Sequence, residues 1–279
     1  MDTGNTSICQ ICQYRNTFIR LPWDLPEVFD YWNTVYKRFN DWARKKKLIR
    51  IFKFLSRDTD LEWEFVDGSI VKAHQHGSGG GEPKNQAIGK SKGGNTTKIH
   101  MCADAFGLPI DFELTGGEVH DVKAAPGFID RLPTGGYVIA DKGYDSEELR
   151  QRIIEKKSIP VIPRKSNSTI GNGDMDWGLY KYRHLVENLF ARLKHFRAIA
   201  TRYDKLKRNY KAMLALPCSF FGYLCETSTA HSLVGILVLA AVALVGCARY
   251  GDQNLKGLSA NKADGRLGSA VFFFTTNAP

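Results

Sequence analysis

Apolar positions along the chain change spacing twice. Over residues 27–57, Trp32, Val35, Phe39 and Ala43 recur at three- and four-residue intervals, as do Leu48, Phe52 and Leu55. That spacing predicts two helices. Short runs rich in branched and aromatic residues follow at 63–71 (WEFVDGSIV), 96–104 (TTKIHMCAD) and 108–115 (LPIDFELT) and predict strands. Phe106-Gly107 suits a hairpin turn between the last two. Beyond them the chain alternates: a helix near 121–131, a buried strand at 136–141 (GYVIAD), a helix at 145–157 and a strand at 159–163 (IPVIP). Ser146 is placed to cap the second of these helices ahead of Glu147 and Glu148. A basic loop and a long helix over 181–199 complete the pattern.

Three hairpin-linked strands followed by helix–strand alternation predict a mixed sheet with helices packed on it. The fold class is therefore α/β, in the order of a ribonuclease H-like sheet flanked by helices. A small N-terminal all-α region precedes it. The expected divisions are a segment at 1–21, a helical region at 22–60, the ribonuclease H-like domain at 61–225 and an apolar tail at 226–279. Between the first two strands, residues 77–94 hold seven glycines and no apolar period, which reads as a mobile surface loop. Gly89-Lys90-Ser91 imitates the end of a phosphate-binding loop. The motif needs a glycine where Lys84 stands, with a strand before it and a helix after, so a nucleoside-triphosphatase reading is excluded.

Composition narrows the partners. The 279 residues carry 39 Lys and Arg against 29 Asp and Glu, a formal charge of +10. With 43% apolar and 24% charged residues, the chain is neither disordered nor a multi-span membrane protein. The excess positive charge favours a polyanion. Lys37, Arg38, Arg44, Lys45 and Lys46 lie on the two N-terminal helices, a compact basic pair suited to the DNA backbone. A solvated basic helix face is the plainer alternative. Six cysteines are too few for a disulfide scaffold, and Cys9 and Cys12 lack the second pair that a zinc site needs. The N-terminus has no apolar run of the kind a secretory signal requires. A reduced, cytoplasmic protein is expected.

Three acids fall where the predicted fold converges: Asp67 on the first strand, Asp141 at the end of the fourth and Glu187 on the last long helix. Carboxylate oxygens from two strands and a helix can hold hard divalent cations such as Mg²⁺. Such ions activate an attacking oxygen and stabilise a leaving one in phosphoryl transfer. At about 100° per residue, Tyr180, Arg183, Glu187 and Lys194 share one helix face, and Leu185, Leu189, Leu193 and Phe196 share the opposite one. An acid flanked by cations suits a metal ligand beside DNA phosphates. An i,i+4 ion pair of Arg183 with Glu187 on a surface helix is the bland alternative. Asp121, after His120, is read as structural, capping the following helix. His74, His76 and His100 are ligand types that this chemistry does not require.

The spacing Tyr180-x2-Arg183-x3-Glu187-x6-Lys194 resembles the Y-R-E-K signature of DDE transposases of bacterial insertion sequences. FVDGSIVKAH (65–74) and Asp141-Lys142-Gly143-Tyr144 resemble the two aspartate motifs of that family. QAIGKSKGGNTTKIH (86–100) and TVYKRFNDW (34–42) are similar to segments of its insertion-sequence-five branch. The resemblance spans roughly residues 22–225. It implies that Asp67, Asp141 and Glu187 bind Mg²⁺, with Mn²⁺ able to substitute. Water would attack at an element end, and the freed 3′-hydroxyl would then attack target DNA. Arg183 and Lys194 would contact phosphates and Tyr180 would position the strand. The implied partners are the terminal inverted repeats, target DNA and further copies of the chain, with no small-molecule substrate. Nucleoid association would follow.

The ends depart from the family. Residues 1–21 do not read as amphipathic helix. The run from Leu233 to Ala248 is 16 residues long, short of the roughly 20 that a spanning helix needs. Leu244-Val245-Gly246-Cys247 looks like a bacterial lipoprotein processing box, as though the reading frame ran into a neighbouring gene. The alternative to an active transposase is a catalytically defunct DNA-binding remnant. A membrane-associated protein using residues 233–248 and a structure-specific nuclease on the same fold are further readings.

Overall fold

The computed structural model describes residues 32–57, 59–79, 86–166 and 168–227. The expectations for the 1–21 segment, the Cys9–Cys12 pair, the apolar run and the processing box fall outside these residues. So does the middle of the glycine-rich stretch.

The helical spacing at the start gives α1 (Trp32–Arg44) and α2 (Lys47–Leu55). Lys46, between them, takes a left-handed backbone (φ 55°), which lets the chain reverse within two residues. Phe39, Ala43, Leu48 and Phe52 are buried as their period requires, together with Trp42. The Phe52 ring lies 5.3 Å from that of Phe112 in the sheet. The helical pair thus packs on the α/β body, and it also packs on the long last helix, α8 (Lys207–Thr227).

The sheet is built from β1 (Trp63–Ala73), β2 (Gly89–Ser91), β3 (Gly94–Ala103), β4 (Pro109–Gly116), β5 (Tyr137–Ala140), β6 (Ile159–Val161) and β7 (Thr201–Arg202). Its spine runs β4-β3-β1-β5-β6, with β2 on β3 and β7 on β1. β1, β3 and β4 pair antiparallel; β5 runs parallel to β1, and β6 parallel to β5. This is the ribonuclease H-like order that the sequence predicts. The turn at Phe106-Gly107 forms as expected. Gly107 has φ +75°, and the Asp104 carboxylate accepts from the N–H groups of Phe106 (3.0 Å) and Leu108 (2.8 Å).

Helices α3 (Asp121–Ile129) and α4 (Glu147–Glu155) cover one face of the sheet. Val66, Phe128, Val138, Ala140, Tyr144 and Ile153 are among the buried residues of that layer. The other face carries α6 (His184–Lys194) against β1 and β3, and α8 against β4. Ladder-like alternation along β1 separates the two layers: Val66 points to α3 and α4, and its neighbour Asp67 to α6.

Three expectations need correction. The glycine-rich stretch is not all loop, because Gly89–Ser91 pairs antiparallel with Gly94–Thr96 as β2. Its polar, glycine-rich residues are held as an edge by backbone bonds and not by apolar side chains. Ser146 stands at the N-cap of α4, but its hydroxyl makes no capping bond. The expected helix over 181–199 is broken. It starts earlier, at α5 (Trp177–Tyr180), whose Leu179 N–H is capped by Asp176 at 2.8 Å. It then tightens to a 3₁₀ turn at Lys181–Arg183, runs as α6, and ends at Phe196, whose extended backbone (φ −78°, ψ 111°) starts the short α7 (Arg197–Ala200). Phe196 packs on Phe221 of α8 at 6.1 Å, so a tertiary contact accompanies the break.

Glu64 on β1 is 1% exposed, and its Oε1 has no hydrogen-bond partner among the described residues. Burial pushes its carboxyl up to about 7, against an ordinary value of 4.5. The folded chain therefore holds a proton there that the unfolded chain loses, and stability falls as pH rises between those values. Urea unfolding should show Glu64→Gln gaining on the parent by up to roughly 3 kcal/mol at pH 8 and by nearly nothing at pH 4.5. An equal difference at both pH values would show that Glu64 is not held protonated.

Candidate active site

β1 and β5 run parallel and in register from Trp63–Tyr137 to Val66–Ala140, so Asp67, next along β1, and Asp141, just past the end of β5, come side by side. Each aspartate is fixed by the backbone that follows it. Asp67 Oδ1 accepts from the Gly68 N–H at 2.8 Å, and Asp141 Oδ1 from the Lys142 N–H at 2.7 Å. The chain after Asp141 then turns at once, and the Tyr144 N–H donates to the Asp141 carbonyl at 2.8 Å.

From the opposite side, α6 brings Glu187, the 3₁₀ turn before it Arg183, and the end of α5 Tyr180. Arg183 joins the constellation: Nη1 lies 3.1 Å from Asp67 Oδ2, and Nη2 lies 2.5 Å from Glu187 Oε1. The Tyr180 hydroxyl lies 3.5 Å from Asp141 Oδ1. The Arg183 guanidinium also stands 5.8 Å from the Tyr180 ring. The i,i+4 pair read as a bland alternative therefore exists, but it is one arm of a bridge between two acids 120 residues apart in sequence.

Electrostatics report the crowding. Burial pushes the Asp67 carboxyl above its ordinary range, and the charges of Asp141 and Glu187 add to that. The Gly68 N–H and Arg183 oppose it. Burial also disfavours the Arg183 charge, yet Asp67 and Glu187 more than offset this and hold the guanidinium above its ordinary value. Lys194 is exposed and lies two turns beyond Glu187 on the same side, roughly 10 Å along the axis, without a bond to the acids. Among the described residues no three ligand-type side chains already stand at metal-binding distances. The donor set nevertheless fits a hard divalent ion, being oxygen only and over-supplied with negative charge. Arg183 takes the place of a cation between two of its members.

A cleft of about 820 Å³ opens beside Asp141, lined among others by Lys142, Arg164, Lys165, Trp177 and Tyr180. Trp177 is half exposed there. Sequence reading noted a basic loop in this region but not its wall, because Arg164 and Lys165 join Lys142 only through tertiary contact. Lys165 N donates to Asp145 at 2.8 Å.

On the N-terminal helices, Lys37 and Arg38 are exposed. Arg44 and Lys45 share Asp41, at 2.8 Å and 2.6 Å, and Lys46 forms the turn. The Gly89-Lys90-Ser91 segment is a strand and not a phosphate loop, consistent with its rejection above.

A family model for the transposase DDE domain matches residues 65–220, more than half of the chain. The chain belongs to the transposase DDE domain family. It is 36% identical over 128 residues to a putative transposase for insertion sequence element IS6501 of Brucella ovis, an alignment covering 44% of this chain and 95% of that protein. It is 33% identical over 149 residues to a putative transposase for insertion sequence element IS402 of Burkholderia cepacia, covering 50% of this chain and 68% of that one. A piggyBac transposase synaptic complex with hairpin DNA aligns at a TM-score of 0.45 and 14% identity, over 74% of this chain and 59% of its own. The match to the family begins two residues before Asp67 and ends past the YREK helix, so every candidate residue from Asp67 to Lys194 lies inside it. This chain is thus a DDE transposase by family, a class of metal-dependent enzymes that cut and join DNA. Among the described residues no helix is long and apolar enough to cross a membrane.

Proposed function

We propose that the chain cuts the ends of its own insertion sequence and joins them to target DNA, with Asp67, Asp141 and Glu187 holding Mg²⁺ or, in its place, Mn²⁺. The observation that supports this reading most directly is the double ion pair of Arg183 with Asp67 and Glu187. Acids from a strand and a helix have no structural need to be gathered around one cation, whereas a reaction that needs clustered carboxylates does.

When bound, the divalent ion would supply Lewis acidity, favouring ionisation of the attacking oxygen and offsetting charge on the leaving one. The three carboxylates supply its oxygen donors. Arg183 holds Asp67 and Glu187 together while the ion is absent. Once released, its fork of donors suits a non-bridging phosphate pair. Tyr180, beside Asp141, positions the strand with the half-exposed Trp177 on the cleft wall. Lys194 extends the phosphate track along α6. Lys37 and Arg38 face solvent on α1 and suit backbone contacts away from the chemistry; Arg44, Lys45 and Lys46 continue that charge with Asp41 in attendance. Terminal inverted repeats and target DNA are the expected partners, and paired ends imply self-association. The setting is the bacterial cytoplasm, at the nucleoid.

The decisive experiment incubates purified protein and Mg²⁺ or Mn²⁺ with DNA carrying the gene and its flanks. Cuts at the element ends should be lost to background in Asp67→Asn and Glu187→Gln. A parent that binds the DNA and cuts with neither metal would overturn the reading in favour of a defunct remnant. Arg183→Gln should bind Mn²⁺ without DNA about two- to thirtyfold more tightly, since two partly exposed ion pairs, each worth roughly 0.2–1 kcal/mol, no longer compete; calorimetry measures this. The same variant should cut more slowly, and an unchanged Mn²⁺ affinity would remove Arg183 as a competitor. For the helical region, Lys37→Ala with Arg38→Ala should flatten the dependence of log affinity on log salt by roughly 2. An unchanged slope would assign both residues to a merely solvated face.

A further inference from the structure

We propose that Asp121 is a positioning residue for DNA cutting, which sets the spacing between β1 at Asp67 and the turn that follows Asp141. This rests on the reading of those two acids given above.

Asp121 opens α3, on the far face of β1 from Arg183. The strand alternates, so Gly68 returns to that face, directly opposite His100 of β3. A Cβ on Gly68 would lie 2.9 Å from Asp121 Oδ1, 3.3 Å from the Tyr144 hydroxyl and 3.5 Å from Lys98 Cδ. A side chain there would have to displace the Asp121 carboxylate, which already fills the place. A Cβ on Gly143 would lie 3.5 Å from Asp121 Oδ2 and 4.0 Å from Asp141 Oδ2. One carboxylate is therefore seated against the residue after Asp67 and against the second residue after Asp141.

What holds it there is equally specific. Lys98 Nζ lies 3.2 Å from Oδ1 and 3.3 Å from Oδ2. His100 Nδ1 lies 3.5 Å from Oδ1 and 3.4 Å from the Tyr144 hydroxyl, while its Nε2 meets Thr115 Oγ1 at 2.9 Å. Lys98 and His100 are two residues apart on β3 and so share a face. Each path from Asp121 ends on backbone that fixes an acid. Gly68 donates its N–H to Asp67, and Tyr144, buried in the α3–α4 layer, donates its N–H to the Asp141 carbonyl.

Helix capping does not account for this arrangement. Asp121 Oδ1 is buried and accepts no hydrogen bond among the described residues, so it bonds no backbone N–H of α3. The carboxylate turns away from its helix toward the sheet. There it keeps Gly68 of β1 and the turn that holds Gly143 at a fixed distance, with Lys98 neutralising its charge.

The test compares the parent with Asp121→Asn, which keeps shape and removes charge. Three quantities are read: Mn²⁺ affinity without DNA by calorimetry, the Mn²⁺ dependence of end cutting, and the melting temperature. The expected result is about a tenfold weakening of Mn²⁺ in both metal assays, the scale of losses from residues behind metal ligands. Melting and metal-free DNA binding should stay at the parent's level. Metal affinity and cutting equal to the parent's would overturn the proposal. A lowered melting temperature with unchanged Mn²⁺ affinity would also overturn it, because a purely structural residue behaves so. If Asp121→Asn does not fold, Lys98→Gln decides by the same readouts, with the same shift expected and an unchanged Mn²⁺ affinity overturning the idea. A parent that neither binds Mn²⁺ nor cuts defeats the reading of the acids, and this inference with it. A parent that cuts while Glu187→Gln does not, beside an Asp121→Asn that matches the parent, defeats this inference alone.

Discussion

Like charges repel most where water is scarce, and this chain gathers its carboxylates at one partly buried place beside β1. The cost is visible in Asp67, whose carboxyl is pushed up by burial and by two neighbouring acids. Two cations make the gathering tolerable, one on each face of β1. Arg183 spans Asp67 and Glu187 on the α6 face. Lys98 sits on both oxygens of Asp121 on the α3 face. Neither cation could be exchanged freely for the other type. The bridge needs a planar fork reaching two acids, and the half-buried Lys98–Asp121 pair needs a compact charge with a long apolar stem.

That electrostatic load demands a scaffold that does not relax. The sheet provides it by parallel pairing of β1 and β5, which fixes both aspartates in one register. The scaffold extends to the helical pair through a second ionic cluster. Glu113 of β4 binds Lys207 at 2.7 Å, and Arg131 and Lys211 at 3.0 Å each. Burial alone would raise Glu113, but Lys207 and Lys211 hold it down to about 2. Next to it, Asp111 takes Lys53 of α2 at 3.1 Å. β4 is thus a junction where α2, α8 and the end of α3 meet.

How much of this was legible in the sequence depends on the range of the interaction involved. β1, β3 and β4 could be read because apolar alternation and a glycine turn are local signals. The YREK spacing brought out Arg183 and Glu187 because four residues on one helix face carry the whole pattern. β2 was missed because an edge strand of Gly89, Lys90 and Ser91 is held by backbone bonds, which leave no apolar trace. The break at Phe196 was missed for the opposite reason. Leu189, Leu193 and Phe196 continue a helical period across it, and the partner that accompanies the turn, Phe221, lies 25 residues later. Asp121 was placed correctly at the start of a helix, and its role was misjudged as capping. Its partners come from β3 and from the turn after Asp141, and no local pattern joins them.

The two glycines resolve an apparent oddity in the aspartate motifs. Gly68 sits inside an otherwise branched and aromatic strand, where glycine weakens a strand and marks a close approach. Flexibility is a poor explanation, because its backbone is paired and its N–H fixes Asp67. Space is a sufficient one: a side chain there would displace Asp121 and press on Tyr144. Gly143 faces the same carboxylate from the turn after β5. Gly68 is therefore not a hinge. It is the contact surface through which one side of the sheet dictates how far apart the acids stand on the other.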